Sequence, residues 1–148
     1  MKKLLSVMIL LAMMMTMFSC TAAKSANPID YGKKYILTEN QYYVFEKDQT
    51  GYYECHYKYE NAGYAEYNYT LSGRIEFVWR EASNGAVYLF ETKTTYHEDH
   101  TNGKELSLIN DPIYFAEEFF TYSYCNSNGS VTRKYIKEGS SLEKSLEK

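Results

Sequence analysis

The feature that most constrains the fold is a period of two in the apolar residues after residue 40. Tyr53, Cys55, Tyr57 and Tyr59 alternate with charged residues and a histidine. The stretch 74–81 repeats the pattern, with apolar side chains at every second position. Successive side chains of a strand point to opposite faces of a sheet, so this alternation predicts strands with one buried face.

Turn sequences separate the alternating stretches. Asn84-Gly85, Asn102-Gly103 and Asn128-Gly129 favour tight hairpins, because both residues of an Asn-Gly pair tolerate positive φ. We therefore predict an all-β domain over residues 34–138, an antiparallel meander of seven to nine strands. Closing into a lipocalin-like up-and-down barrel would hide the sheet edges, and a two-layer β-sandwich is the alternative.

The strand boundaries follow from the turns. Ser72-Gly73 is interpreted as a turn or a bulge, and 115–119 as a stretch that could hold a helical turn. The predicted strands are 31–37, 41–46, 52–60, 65–71, 74–81, 86–97, 105–109, 113–125 and 131–136.

The N-terminus carries a second strong pattern. Lys2 and Lys3 precede an uncharged apolar run, 4–18, which ends at Ser19-Cys20. A basic start, a short apolar run and a small residue before the cleavage point are typical of a secretory signal peptide. The run is shorter than the roughly 20 residues that a membrane-spanning helix needs. The sequence therefore predicts export, with residues 1–19 as the signal peptide.

The stretch Met17-Phe18-Ser19-Cys20 resembles the cleavage box of bacterial lipoproteins. Ser19 and Cys20 fit the family pattern, Met17 is an apolar substitute for its leucine, and Phe18 is larger than usual. Such a relaxed box is similar to those of small spirochaete outer-membrane lipoproteins. The resemblance implies that Cys20 becomes the acylated first residue and holds the chain on a lipid bilayer, because several acyl chains give lasting anchorage.

The location follows from this resemblance. Thr21, rather than Asp, follows the cysteine, which favours the bacterial outer membrane; the periplasmic face of the inner membrane is the alternative. A plain secreted protein cut near Ala22-Ala23 and an uncleaved anchor are the other interpretations. Residues 20–33 are predicted to form the lipidated N-terminus and a flexible tether, and residues 139–148 a frayed or weakly helical polar tail.

Charge argues against nucleic acid as a partner. The whole chain has a net charge of −3, and removal of Lys2 and Lys3 leaves 14 basic and 19 acidic residues, a net charge of −5. A mildly acidic chain without a basic cluster lacks the positive surface that binds phosphates.

Two cysteines remain after Cys20. An exported domain can join Cys55 and Cys125 in a disulfide, and two buried free thiols are the equal alternative.

Tyrosine is the extreme of the composition, with 17 residues, all after the signal peptide. Tyrosine suits half-buried sheet faces, because its ring is apolar and its tip is polar. Rows of tyrosines either fill the barrel or line a cavity for a small ligand. Tyr52, Tyr88 and Tyr96 have the opposite parity and could form a surface patch for glycan or protein. The candidate ligand-facing residues are Tyr53, Tyr57, Tyr59, Tyr67 and Tyr69.

Catalytic and metal-binding patterns are weak. His97-Glu98-Asp99-His100 contains metal-ligand types but lacks a third strong ligand at a useful spacing, so we interpret it as a solvated loop. Glu117-Glu118 are neighbours in a predicted strand, point to opposite faces, and are interpreted as edge charges. No nucleophile elbow or phosphate-binding glycine loop is present. We expect no enzyme activity, no catalytic residues, no metal and no cofactor.

Three functions fit these observations, and one of them, a periplasmic inhibitor or accessory protein, is not distinguished by sequence from the first of the two described next. The first is a non-enzymatic, membrane-anchored lipoprotein of the outer membrane or cell surface, with a structural, antigenic or adhesive role and a host or envelope protein or glycan as its partner. The second is a lipocalin-like carrier of a small hydrophobic ligand.

Overall fold

A computed structural model of the chain describes residues 28–146. The predicted signal peptide, the acylation site Cys20 and most of the predicted tether lie outside these residues. The elements in chain order are β1 (Lys34–Thr38), β2 (Gln41–Phe45), β3 (Thr50–Tyr59), a 3₁₀ turn (Ala65–Tyr67), β4 (Tyr69–Glu81), β5 (Val87–Tyr96), β6 (Tyr114–Phe115), β7 (Phe119–Asn126), β8 (Gly129–Lys137) and helix α1 (Ser141–Leu146).

The eight strands form one antiparallel sheet in the order β5-β4-β3-β2-β1-β8-β7-β6. The sheet curls until its two outermost strands approach each other, and Val87 and Ile113 exchange two backbone hydrogen bonds of 2.9 Å there. Every strand therefore lies beside its sequence neighbours around the curl. The prediction of an all-β antiparallel meander is confirmed, and a single curled sheet replaces the two-layer sandwich.

The curled sheet has two distinct ends. The chain enters at one end, where the Gly32 amide donates to the Phe45 carbonyl and Tyr31 stacks on Trp79 with ring centroids 6.3 Å apart. The turns after β2 and β4 lie at this end, which we call the entry end. The β3–β4 and β7–β8 hairpins turn at the other end, the hairpin end. A ten-residue strand such as β3 spans roughly 33 Å between them.

Aromatic rings fill the interior. Tyr43 stacks on Tyr53 with ring centroids 4.4 Å apart, and Phe120 stacks on Tyr135 at 4.8 Å. Fully buried rings in contact stabilise a core by their large area and their edge-to-face geometry. The parity prediction is confirmed for β4, where the predicted inward residues are buried. The largest buried side chains are Tyr35, Tyr43, Phe45, Ile75, Phe77 and Phe120.

Three of the predicted strands, 65–71, 105–109 and 113–125, are not formed as predicted, and the last is divided between β6 and β7. Residues 65–67 form a 3₁₀ turn, and β4 runs unbroken through Ser72-Gly73. Gly73 is present because the chain approaches closely here: a Cβ atom would lie 2.5 Å from the Thr95 carbonyl oxygen. The stretch 105–109 is not a strand, although Leu106 and Leu108 are buried.

The connection 97–113 covers the open side of the sheet. It begins at the hairpin end after β5 and reaches the entry end at Ile113. Beyond the Val87–Ile113 bridge, no strand of residues 28–146 pairs with the outer edge of β5. Leu106, Leu108 and Ile109 are buried in the common core, so side chains from the connection close the opening.

The predicted polar tail includes helix α1, which is held against the β6–β7 turn. The Ser141 amide donates to the Glu118 carboxylate at 2.9 Å. Hydrogen bonds from the Ser141 side chain and backbone lower the pKa of Glu118.

Candidate functional site

Exposed tyrosines cluster where the β3–β4 hairpin extends past the barrel. Tyr64 and Tyr67 are each 61% exposed, and Tyr57 and Tyr59 are 40% and 36% exposed. Together with the half-buried Tyr69 they form a surface that we call the tyrosine hairpin, residues 57–69. Clusters of large exposed apolar side chains are frequent where proteins contact other molecules.

Local contacts hold the tyrosine hairpin in shape. Tyr59 stacks on Tyr69 across the strand pair with centroids 5.1 Å apart, and Tyr64 meets Tyr67 edge-to-face at 5.9 Å. The side-chain oxygen Oδ1 of Asn61 accepts hydrogen bonds from the backbone amides of Gly63 at 3.0 Å and Tyr64 at 3.1 Å, which orders the loop. A rigid aromatic surface loses little conformational entropy when a partner binds.

Charges of both signs surround these rings. Lys58 and Lys104 are exposed beside Glu60 and Glu66. The Lys104 ammonium lies 4.7 Å from the centre of the Tyr69 ring. An aromatic centre with a mixed-charge rim is typical of protein–protein interfaces, whereas surfaces that bind polyanions are strongly positive.

The five candidate ligand-facing tyrosines do not share a cavity. Tyr53 is buried in the core, whereas Tyr57, Tyr59 and Tyr67 are exposed and Tyr69 is half-buried beside Lys104. The prediction that they line one site is wrong. β3 continues past the barrel, so the same parity places Tyr53 inside the barrel and Tyr59 in solvent.

A cleft of about 420 Å³ opens at the hairpin end of the barrel. We call it the mouth cleft. Tyr43, Tyr53 and Tyr135 form its floor, and Gln41 lies at its edge. The side chains of Tyr122, Tyr124 and Arg133 form one wall, and residues 107–111 of the connection form another.

The tyrosines on the cleft floor are neutral at physiological pH. Burial raises the pKa of Tyr43 well above its ordinary value, although a hydrogen bond from the Ile109 backbone acts in the opposite direction. Burial also raises the pKa of Tyr53 and of Tyr135. The floor therefore presents phenolic hydroxyls rather than phenolates.

Sequence reasoning missed the walls of the mouth cleft. Asp111 lies on the connection, Tyr122 on β7 and Arg133 on β8. Only the curling of the sheet brings them together, and no local spacing signals it. The sequence contains one hint, because Tyr122 and Tyr124 are two residues apart and therefore share a face of a strand.

Cys55 and Cys125 are free in the structure, so the predicted disulfide is not formed. Cys55 points into the barrel, where its thiol lies 3.7 Å from the Leu71 carbonyl oxygen, and Cys125 is exposed near the β7–β8 turn. The alternative of two buried thiols is also wrong, because only Cys55 is buried.

The histidines serve as local structural contacts. The Ser72 amide donates to Nδ1 of His100 at 3.0 Å, so that nitrogen is an acceptor. Nε2 of His97 lies 2.7 Å from a Glu54 carboxylate oxygen, and Nδ1 of His56 lies 3.3 Å from the Asp99 carboxylate. Within residues 28–146, no group of three metal-ligand side chains could hold an ion.

The remaining candidates are dispersed. Tyr88 and Tyr96 are both exposed on β5 but lie eight residues apart, roughly 26 Å along the strand. Tyr52 is half-buried under the Arg74 guanidinium at 4.2 Å. These three do not form the single patch that parity predicted. Glu117 and Glu118 lie in the turn before β7, not in a strand.

Comparisons of the chain with protein-family models, with curated proteins and with solved structures gave no significant match. Among the helices of residues 28–146, none has the length and apolar character required to cross a membrane.

Proposed function

We propose that the chain is a non-enzymatic, lipid-anchored envelope protein with an adhesive role, and that the tyrosine hairpin binds a protein partner. The acyl chains on Cys20 hold it on the bacterial outer membrane. One observation carries the proposal: the chain enters the barrel at one end, and the exposed tyrosines project from the other.

This polarity suits an anchored binding protein. Only seven residues separate Cys20 from Pro28, the first described residue, so the entry end would face the membrane. The tyrosine hairpin would then face away from the bilayer, at a distance set by the roughly 33 Å length of β3. A surface that must meet a partner is best placed there.

The chemistry of the hairpin favours a protein as the occupant. Tyrosine rings give a large contact area with few rotatable bonds, and their hydroxyls accept or donate hydrogen bonds. The rim carries lysines and glutamates, so it matches a partner with a mixed-charge rim and an uncharged centre. A nucleic acid or an anionic lipid surface would require a net positive patch.

The carrier hypothesis receives less support. Packed aromatic rings occupy the barrel interior, and amide, carboxylate, guanidinium and phenolic groups line the mouth cleft beside three aliphatic residues, Leu37, Leu108 and Ile109. A carrier of a hydrophobic ligand needs a largely apolar cavity.

The anchor is tested by the change Cys20→Ala. The native protein should enter the detergent phase of a Triton X-114 separation and incorporate labelled palmitate, and the variant should do neither. Acyl chains supply the anchoring free energy in this account. Retention of both properties by the variant would overturn the lipid anchor.

The binding surface is tested by capture from native envelopes. The double change Tyr64→Ser and Tyr67→Ser should abolish capture of the partner, whereas Tyr88→Ser and Tyr114→Ser should not. Tyr88 and Tyr114 are also exposed but lie towards the entry end. Protease treatment of the envelopes should abolish capture; loss on periodate treatment instead would identify a glycan and contradict the protein partner.

A further inference from the structure

The mouth cleft is a second candidate site, separate from the tyrosine hairpin. Its volume of about 420 Å³ lies within the roughly 300–1,000 Å³ of small-molecule sites. Polar groups from β2, β7, β8 and the connection converge on it. Such convergence on one concave surface is how proteins orient a small polar ligand.

The charges of the cleft balance. Asp111 and Arg133 are the only charged side chains in its lining. The Arg133 guanidinium also contacts the protein, because it lies 5.8 Å from the centre of the Tyr124 ring. A strongly charged ligand would leave one of the two charges repelled, so the cleft favours a neutral one.

The uncharged groups favour a ligand rich in hydroxyls. The amides of Gln41 and Asn110, the Ser107 hydroxyl and the phenols of the floor provide both donors and acceptors. A ligand whose every polar group can both donate and accept pairs with this mixture without leaving a buried group unsatisfied. Vicinal hydroxyls meet that requirement, and an alkyl chain does not.

The rings complete the recognition surface. Tyr122 and Tyr124 lie with centroids 5.7 Å apart and planes 23° from parallel, and Tyr43 and Tyr53 stack at 4.4 Å. Since each pair is already stacked, no slot remains into which a flat base could insert. Tyr43 and Tyr53 are only 1% and 8% exposed, so the half-buried rings of Tyr122 and Tyr124 are the ones that can contact the C–H face of a saturated ring.

We propose that the mouth cleft binds a neutral pyranose sugar, with Asp111 and Arg133 bonding its hydroxyls and the tyrosine rings contacting its C–H face. The floor tyrosines are fixed by the core, since Tyr43 and Tyr135 pack edge-to-face at 5.2 Å. Little reorganisation is therefore required on binding. This proposal does not depend on the function proposed for the tyrosine hairpin.

The test uses the purified full-length chain in detergent. Saturation-transfer NMR and calorimetry are run with methyl glycosides of glucose, galactose and N-acetylglucosamine, and with a neutral polysaccharide. The polysaccharide shows whether the cleft binds a sugar within a glycan chain or only a free sugar. N-Acetylneuraminate, laurate and adenosine serve as anionic, apolar and flat aromatic probes. At least one neutral pyranoside should bind more tightly than all three.

Variants connect the binding to the cleft. Asp111→Asn and Arg133→Gln should each weaken the affinity for the neutral sugar by roughly tenfold or more, because each removes a charge-assisted hydrogen bond. Arg80→Gln is the matched control, since Arg80 is exposed on β4 outside the cleft and should bind as the parent does. Tyr122→Phe, which removes only one hydroxyl, should weaken binding by about threefold or more.

Three results would overturn the proposal. The first is that no neutral pyranoside binds the parent chain. The second is tighter binding of the anionic, apolar or flat probe. The third is an unchanged affinity in both Asp111→Asn and Tyr122→Phe, two nearly isosteric changes.

Discussion

Tyr53 and Tyr59 lie on the same strand, with the same parity, and have opposite environments. Tyr53 is 8% exposed against Tyr43, whereas Tyr59 is 36% exposed in the tyrosine hairpin. The alternation of β3 is unbroken between them. The difference therefore arises because β3 is longer than the barrel. The strand extends beyond the core that covers its inner face.

The comparison separates two uses of one residue type. Inside the barrel, tyrosine provides ring area for a packed core. In the hairpin the same ring is presented to solvent on a scaffold that turns, stacking and Asn61 hold in place. The two regions should respond differently to ionisation, truncation and added bulk, and each prediction below compares them.

Alkaline pH should have the largest effect on the free energy of unfolding, and this effect should come from the tyrosines of the core. Burial raises the pKa of Tyr43, Tyr53 and Tyr135 above the value of about 10 for the unfolded chain. Above pH ~10 the unfolded chain releases these protons and the folded chain retains them, so stability falls as pH rises. Each such tyrosine should remove about 1.4 kcal/mol per pH unit.

Urea unfolding between pH 9 and pH 11.5 measures this slope. Tyr135→Phe removes one of the tyrosines with a raised pKa and should reduce the slope by about 1.4 kcal/mol per pH unit. Equal slopes in the parent and Tyr135→Phe would show that Tyr135 does not retain its proton in the folded state.

Side-chain truncation should have the next largest effect. Phe120 is fully buried and contacts the rings of Tyr43 and Tyr135, so Phe120→Ala should lower the free energy of unfolding by about 3–5 kcal/mol. Tyr67→Ala should change it by less than about 0.5 kcal/mol, because the ring is mostly exposed. Chemical denaturation at pH 7 measures both. A large loss in Tyr67→Ala would mean that the hairpin contributes to the core.

Added bulk should have a smaller effect that again depends on the region. A Cβ atom at Gly51 would lie 2.6 Å from the Phe77 ring and would also contact the Val44 carbonyl oxygen. Gly51→Ala should therefore destabilise the protein by about 1–3 kcal/mol. At Gly63, in the hairpin loop, the nearest atom to such a Cβ is 3.7 Å away, and Gly63→Ala should be close to neutral. The two melting temperatures, compared with that of the parent, check the prediction.

Periodicity predicted much of this fold. It identified the inward residues of β4 and the hairpin at Asn84-Gly85, because half-buried strands and tight turns have local signatures. It failed at 105–109, where alternating Leu106 and Leu108 are buried without strand pairing. Alternation reports which side chains are buried, and pairing requires a neighbouring strand, which the sequence does not specify locally.

The candidate sites were harder to predict. Parity placed Tyr57 and Tyr59 with Tyr53, because nothing in the sequence marks where the barrel ends. The mouth cleft joins Asp111 to Arg133 across the closure of the sheet, a relation that depends on the whole topology. Cys55 is buried and Cys125 faces solvent. Whether the two cysteines can pair therefore depends on tertiary structure, which their positions in the sequence do not reveal.

Tyrosine nitration with residue-level mass spectrometry tests the central claim most directly, on purified protein and on protein in native envelopes. In the purified protein, tetranitromethane should modify Tyr57, Tyr59, Tyr64 and Tyr67 and leave Tyr43 and Tyr53 unmodified. In envelopes the hairpin tyrosines should become protected while Tyr88 stays reactive. Nitration of Tyr43 and Tyr53 at the rate of Tyr64, or equal reactivity of the hairpin in both preparations, would contradict the division into a packed set and a binding set.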